Sequence, residues 1–136
     1  EKVLITGSLF EAARFPEIDT ASGGSPVGWI DGMQQAIDAV PLLKAAIPKA
    51  KPASENEPEK TLEEEVTVLP GRGESSDLQD MKDLLDSCKR LRADIARAVR
   101  YGRTSDSYLA SAAADPYRRY GNLDSYAAKL FAALPD

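Results

Sequence analysis

The stretch "SDLQDMKDLLDSCKRLRADIARAVRYG", Ser76 to Gly102, decides how the chain is read as a fold. Leu78, Met81, Leu85, Cys88, Leu91, Ile95 and Val99 follow one another in steps of three or four residues, which lines them along one side of an α-helix as a coiled-coil-like seam. Ser76 and Gln79 have capping-box spacing at its start. Asp77, Asp80, Asp83 and Asp86 lead, and Lys89, Arg90, Arg92, Arg97 and Arg100 follow, an order that complements the helix dipole. Gly102 can take the left-handed conformation that ends the helix.

Further helices are expected on both sides. Upstream, Ser25 can cap and Pro26 suits the first helical position, with Trp29, Met33, Ile37 and Val40 on one face. This first helix spans 25–47, with a kink or restart at Pro41 because proline lacks the N–H that would bond the Ile37 carbonyl. Downstream, Thr104 or Ser105 can cap a helix carrying Tyr108, Leu109, Ala112 and Ala113. Asn122 can cap another that buries Leu123, Tyr126, Ala127, Leu130, Phe131 and Leu134. "DPYRRYG", Asp115 to Gly121, reads as a tight turn between them.

Two segments carry no helical period. Residues 1–24, with Pro16 and the "ASGGSP" punctuation, read as an extended docking arm. Residues 48–75 read as a linker: "PKAKPASENEPEK" is too polar to offset its ordering entropy. Within "TLEEEVTVLPGRG", Thr61 and Glu64 favour a short helix while Val66, Thr67 and Val68 favour extended backbone, and the helix is the expectation. The fold class expected is all-α: an up-down bundle of about four helices, 76–136 packing with 25–47 as one domain, behind an N-terminal arm and an acidic, proline-rich linker.

Composition narrows the function. A net charge of -5 argues against a dedicated nucleic-acid binder, and the longest apolar runs are too short and interrupted to cross a bilayer. The first residue is Glu1 rather than Met, as expected of a trimmed precursor. Absence of histidine removes Ser-His and Cys-His nucleophile pairs and the commonest transition-metal ligand. Cys88, the only cysteine, lies on the apolar seam, where a thiol behaves as a small hydrophobe. Glu63, Glu64 and Glu65 lack the alternation of a calcium loop. "KVLITGS", Lys2 to Ser8, opens as many nucleotide-binding chains do, yet after Gly7 no glycine follows until Gly23, so the dinucleotide fingerprint fails. No catalytic, cofactor-binding or metal-binding set emerges.

What remains is an interface. "YRRY", Tyr117, Arg118, Arg119 and Tyr120, with Arg97, Arg100 and Arg103 close in sequence, concentrates groups that pair with carboxylates and bury area at low entropy cost. With Leu9, Phe10 and Phe15 of the arm, these are the expected partner-binding residues. The expected function is a non-enzymatic helical accessory subunit, a monomer in isolation, that docks on a larger protein complex, including a membrane-embedded one.

The layout of arm, acidic linker and alanine-rich helical end, closing on "GNLDSYAAKLFAALPD", resembles the small extrinsic four-helix subunits on the lumenal side of photosystem II, the PsbQ-like group. The resemblance implies a four-helix bundle in the thylakoid lumen that supports the oxygen-evolving site without supplying metal ligands, and a transit peptide removed before Glu1. Two other functions fit the same composition. One is a small-molecule carrier or small enzyme with an inter-helix pocket lined by Trp29 and the tyrosines, using Asp or Glu as acid-base groups. The other is a phage or secretion chaperone.

Overall fold

Val3, Leu4, Ile5 and Thr6 place branched side chains on an extended backbone, and Lys2–Gly7 forms strand β1. A computed structural model of the chain describes residues 2–46 and 66–134, excepting the side chains of 43–46. β1 pairs in parallel with β2, Val66–Pro70, setting Lys2 opposite Val66, Leu4 opposite Val68 and Ile5 opposite Leu69. The two-residue strand β3, Ser76–Asp77, runs antiparallel to β2. Helix α1, Pro26–Ala46, falls between β1 and β2 in sequence, which makes a β-α-β unit; parallel neighbours need such a long connection.

The all-α bundle is therefore overturned by a three-stranded mixed sheet in the order β1-β2-β3. The reason lies in the distance between partners. Lys2 pairs with Val66, so no hairpin turn announces the strands locally. Extended propensity at Val66–Val68 prevails because Val66 and Val68 are buried in the core. The linker expected over 48–60 and the helix expected to begin at Thr61 lie outside the described residues up to 65.

The helices form largely where their signals fall. Ser25 Oγ accepts from the Gly28 N–H at 3.0 Å, and α1 continues through Pro41 to Ala46 as one helix, burying Ile30, Met33, Ile37 and Val40. Helix α2, Leu78–Arg100, starts one residue later than the capping box implies. Asp77 is its cap, accepting from the Asp80 N–H at 2.8 Å, while Ser76 is held in β3. Every residue of the predicted seam is buried except Val99, which is half-buried. At the far end Gly102 has φ of 71°, its N–H bonds the Val99 carbonyl and the Arg103 N–H bonds the Ala98 carbonyl. Those two bonds constitute a Schellman closure. Thr104 caps the short α3, Ser105–Leu109; a 3-10 helix, Ala112–Tyr117, and α4, Leu123–Ala133, complete the described chain.

Residues 8–24, within the extended N-terminal segment, pack onto the core of the domain. Phe10, Phe15 and Ile18 are buried. The Phe15 ring stacks on Tyr126, with centroids 5.3 Å apart, and meets Tyr120 edge-on at 5.2 Å. Backbone bonds run both ways to Gly121: its N–H donates to Ala13 O at 2.9 Å, and the Phe15 N–H donates to Gly121 O at 2.8 Å. Asn122 does not cap α4 with its side chain; its Nδ2 donates to the Phe15 and Pro16 carbonyls, both at 3.2 Å. An irregular segment satisfies its polar groups with whatever lies beside it. Here that is a loop more than a hundred residues away, so no local pattern could reveal it.

Candidate functional site

Alternation along β1 and β2 divides the sheet into two unlike faces. Leu4, Val66 and Val68 point to the helices and join the core. Val3 and Ile5 of β1 and Leu69 of β2 point the other way and are 51%, 76% and 40% exposed. Register brings Ile5 beside Leu69 and Val3 beside Thr67, so the outer residues form one patch. Among the described residues β1 is also an edge strand, with β2 as its neighbour on one side. Parallel sheets are ordinarily covered on both faces, and their strands read as unbroken apolar runs for that reason. The runs "VLI" and "VTVL" have that composition, and among the described residues the outer face has no cover. Sequence reasoning treated the first run as an arm because a strand without its partner shows neither edge nor face.

The strands end in a tight meeting of glycines. Gly71 N–H donates to Gly7 O at 2.7 Å, and a Cβ on Gly71 would lie 2.8 Å from the Gly7 carbonyl carbon. This close approach fixes where the strands part. Gly7 and Pro26 are nineteen positions apart, so α1 does not open directly from the strand as a dinucleotide-binding helix would.

The residues expected to bind a partner fall into three groups. Phe10, Phe15 and Tyr117 are buried, and Leu9 and Tyr120 are half-buried against the core. Leu9 also offers its carbonyl to Trp29 Nε1 at 2.8 Å, which ties the tryptophan to the N-terminal segment. Arg103, Arg118 and Arg119 are exposed but engaged within the chain. Arg103 donates to Ser107 O at 2.9 Å, Arg118 pairs with Asp115 at 3.0 Å and donates to Leu109 O, and Arg119 lies 4.7 Å from the Tyr120 ring centre. Of the expected partner-binding residues, Arg97 and Arg100 stand exposed with no hydrogen bond or ion pair among the described residues.

Titratable groups in the interior are held neutral. Burial pushes the Cys88 thiol up to about 12, against which the neighbouring Tyr126 hydroxyl acts only weakly. Burial first, then the Asp94 carboxylate, raises Tyr108 to about 12. The same two causes raise Tyr117, whose hydroxyl donates to Asp94 Oδ2 at 2.6 Å. Tyr126 is raised by burial and by Cys88, and its hydroxyl donates to Pro26 O at 3.3 Å. A thiol in that state is no nucleophile near neutral pH.

A cleft of about 360 Å³ opens between α1 and α2, lined by Ile37, Asp38, Pro41, Leu78, Lys82 and Asp86 among others. No aromatic residue lines it; a second, more open cavity of about 430 Å³ is lined by Tyr120 together with Arg118, Asn122, Leu123, Asp124 and Ser125, and Trp29 lines neither. No group of three His, Cys, Asp or Glu side chains among the described residues is placed to hold a metal ion. No described helix is long and apolar enough to cross a membrane. No family model matches the chain, and no curated protein or solved structure matches it.

Proposed function

We propose that the chain is a non-enzymatic interaction module that packs the outer face of its sheet, beside the edge strand β1, against an apolar surface of a larger protein assembly. The observation that carries this reading is the exposure of Val3, Ile5 and Leu69 as one in-register patch. Singly exposed apolar residues are ordinary, but an aligned patch on a parallel sheet costs solvation that a covering layer removes. Fully covering an aliphatic side chain such as Ile5 contributes about 1.5–3 kcal/mol. An open strand edge adds main-chain donors and acceptors to the same surface.

This reading keeps the docking role expected from sequence as a proposal and moves it to a different surface. The four-helix bundle that the photosystem II resemblance implied is not what the chain folds into, so no particular assembly is named. The test is affinity purification of the native complex with wild-type bait and with Ile5→Lys, using Ala112→Lys as an exposed control far from the sheet. Ile5→Lys should release partners that Ala112→Lys retains, while both variants unfold within about 0.5 kcal/mol of wild type. An unchanged set of partners on the Ile5→Lys bait would end the proposal.

A further inference from the structure

The C-terminal half of α2 presents a second surface, independent of the sheet. Arg90, Arg97 and Tyr101 recur at steps of seven and four, with Arg100 three residues beyond Arg97, so all four fall on one arc of the helix surface that runs from the flank of buried Leu91, Ile95 and Ala98 round to the side away from them. All four are exposed, Tyr101 to 79%, and the small exposed Ala93 leaves a saddle between Arg90 and Arg97. None of the three arginines forms an ion pair or hydrogen bond among the described residues. The one carboxylate in the stretch, Asp94, accepts from the Tyr117 hydroxyl through Oδ2, and Arg90 acts electrostatically on that same tyrosine. Residues 89–103 thus hold six cations and one acid in a chain whose net charge is -5. Dipole complementation accounts for Arg97 and Arg100 in the last turn, but its effect fades within a turn and does not reach Arg90.

We infer that this stripe is a docking site for a short acidic segment of a partner protein. Three guanidinium groups offer paired donors that match carboxylates, and the bare Tyr101 ring supplies apolar area between charges, the composition of an interface hot spot. Length selects a peptide over a nucleic acid. From Arg90 to Tyr101 the stripe covers about 16 Å at ~1.5 Å per residue. Immediately N-terminal to it the same face turns acidic at exposed Asp83 and Asp86. A short acidic segment fits within the basic stretch, whereas a longer polyanion would run onto repelling carboxylates less than two turns away, within roughly a Debye length of about 8 Å.

Fluorescence anisotropy of a labelled tetraglutamate peptide, about 13 Å when extended and so within the stripe, titrated with the full chain at low salt, tests the assignment. Replacing Arg90, Arg97 and Arg100 together by Ala should weaken binding at least tenfold, whereas Arg72→Ala, on the exposed turn after β2, should leave it unchanged. Arg97→Lys with Arg100→Lys, which keeps the charge and the fold but removes the forked donors, should weaken it about threefold; this variant decides the matter if the triple one fails to fold. Equal binding by wild type and the variants would overturn the inference, as would a single-stranded octanucleotide that outcompetes the peptide at equal salt. Because none of these residues lies on the sheet, Ile5→Lys should bind tetraglutamate as wild type does, so failure here and failure of the sheet as a docking face are separable.

Discussion

Replacing Phe15 by Ala should cost the protein a large part of its stability. The side chain is 0% exposed, its ring stacks on Tyr126 and meets Tyr120 edge-on, and its backbone is bonded to Gly121. Truncating a buried Phe to Ala costs about 3–5 kcal/mol through lost transfer energy and the cavity left behind. Each lost aromatic pair is worth about 0.5–1.5 kcal/mol beyond burial, which places this site toward the upper end of that range. Against a total stability of about 5–15 kcal/mol for a domain of this kind, the variant would be marginal. Phe15→Leu keeps most of the volume and should cost about 1.5 kcal/mol. Glu17→Ala, at an exposed position in the same segment, should stay within about 0.5 kcal/mol of wild type. Urea denaturation followed by circular dichroism at 222 nm measures all three, provided the m-values agree. A loss below 1 kcal/mol for Phe15→Ala, indistinguishable from Glu17→Ala, would mean that residues 8–24 do not pack into the core.

Two glycines should respond oppositely to alanine. At Gly71 the added Cβ would sit 2.8–2.9 Å from the Gly7 carbonyl group, which is backbone and cannot swing aside, so Gly71→Ala should destabilise by about 1–3 kcal/mol; an unchanged melting temperature would refute the contact. At Gly32, inside α1, nothing lies within 4 Å of a Cβ, so Gly32→Ala should stabilise by about 0.5–1 kcal/mol in the same assay. Stability should also fall in alkali. Cys88 and Tyr108, with ordinary values of 9.0 and 10.0, are both raised to about 12 in the folded state. A raised value means that the unfolded chain loses its proton first, so the contribution is whole below pH 9 and is lost as pH climbs toward 12. Each such group removes about 1.4 kcal/mol per pH unit within its window. Cys88→Ala should flatten the curve between pH 9 and 10, where the thiol titrates ahead of the tyrosines; an unaltered slope there would show that the thiol is not the group responsible.

How far the fold could be read from sequence follows from the span of the interactions. The seam of α2, its Gly102 closure, the Ser25 cap of α1 and the Thr104 cap of α3 depend on residues within a turn or two, and all were legible. The sheet was not, because β1 and β2 each carry five or six residues and their pairing closes a loop of more than sixty. Asn122 shows the same limit from the other side: its type suits a cap, but two carbonyls of the N-terminal segment compete for its amide and hold it. The arginines divide likewise. Arg97 and Arg100 are exposed as a helical stripe requires, whereas the engagement of Arg118 and Arg119 depends on Leu109, Asp115 and Tyr120 in a 3-10 turn that composition does not describe.

The bonds joining Ala13 and Phe15 to Gly121 also bear on how the polypeptide is made. A ribosome adding about 5–20 residues per second delivers Phe15 on the order of 5–20 s before Tyr126, the ring that stacks on it, has been synthesised. Through that interval Phe10, Phe15 and Ile18, all buried in the finished domain, lack the C-terminal part of their packing. Translation that halts ahead of Gly121 would release a product able to wind α2 yet unable to seal its own beginning, a species suited to clearance by proteases rather than to service.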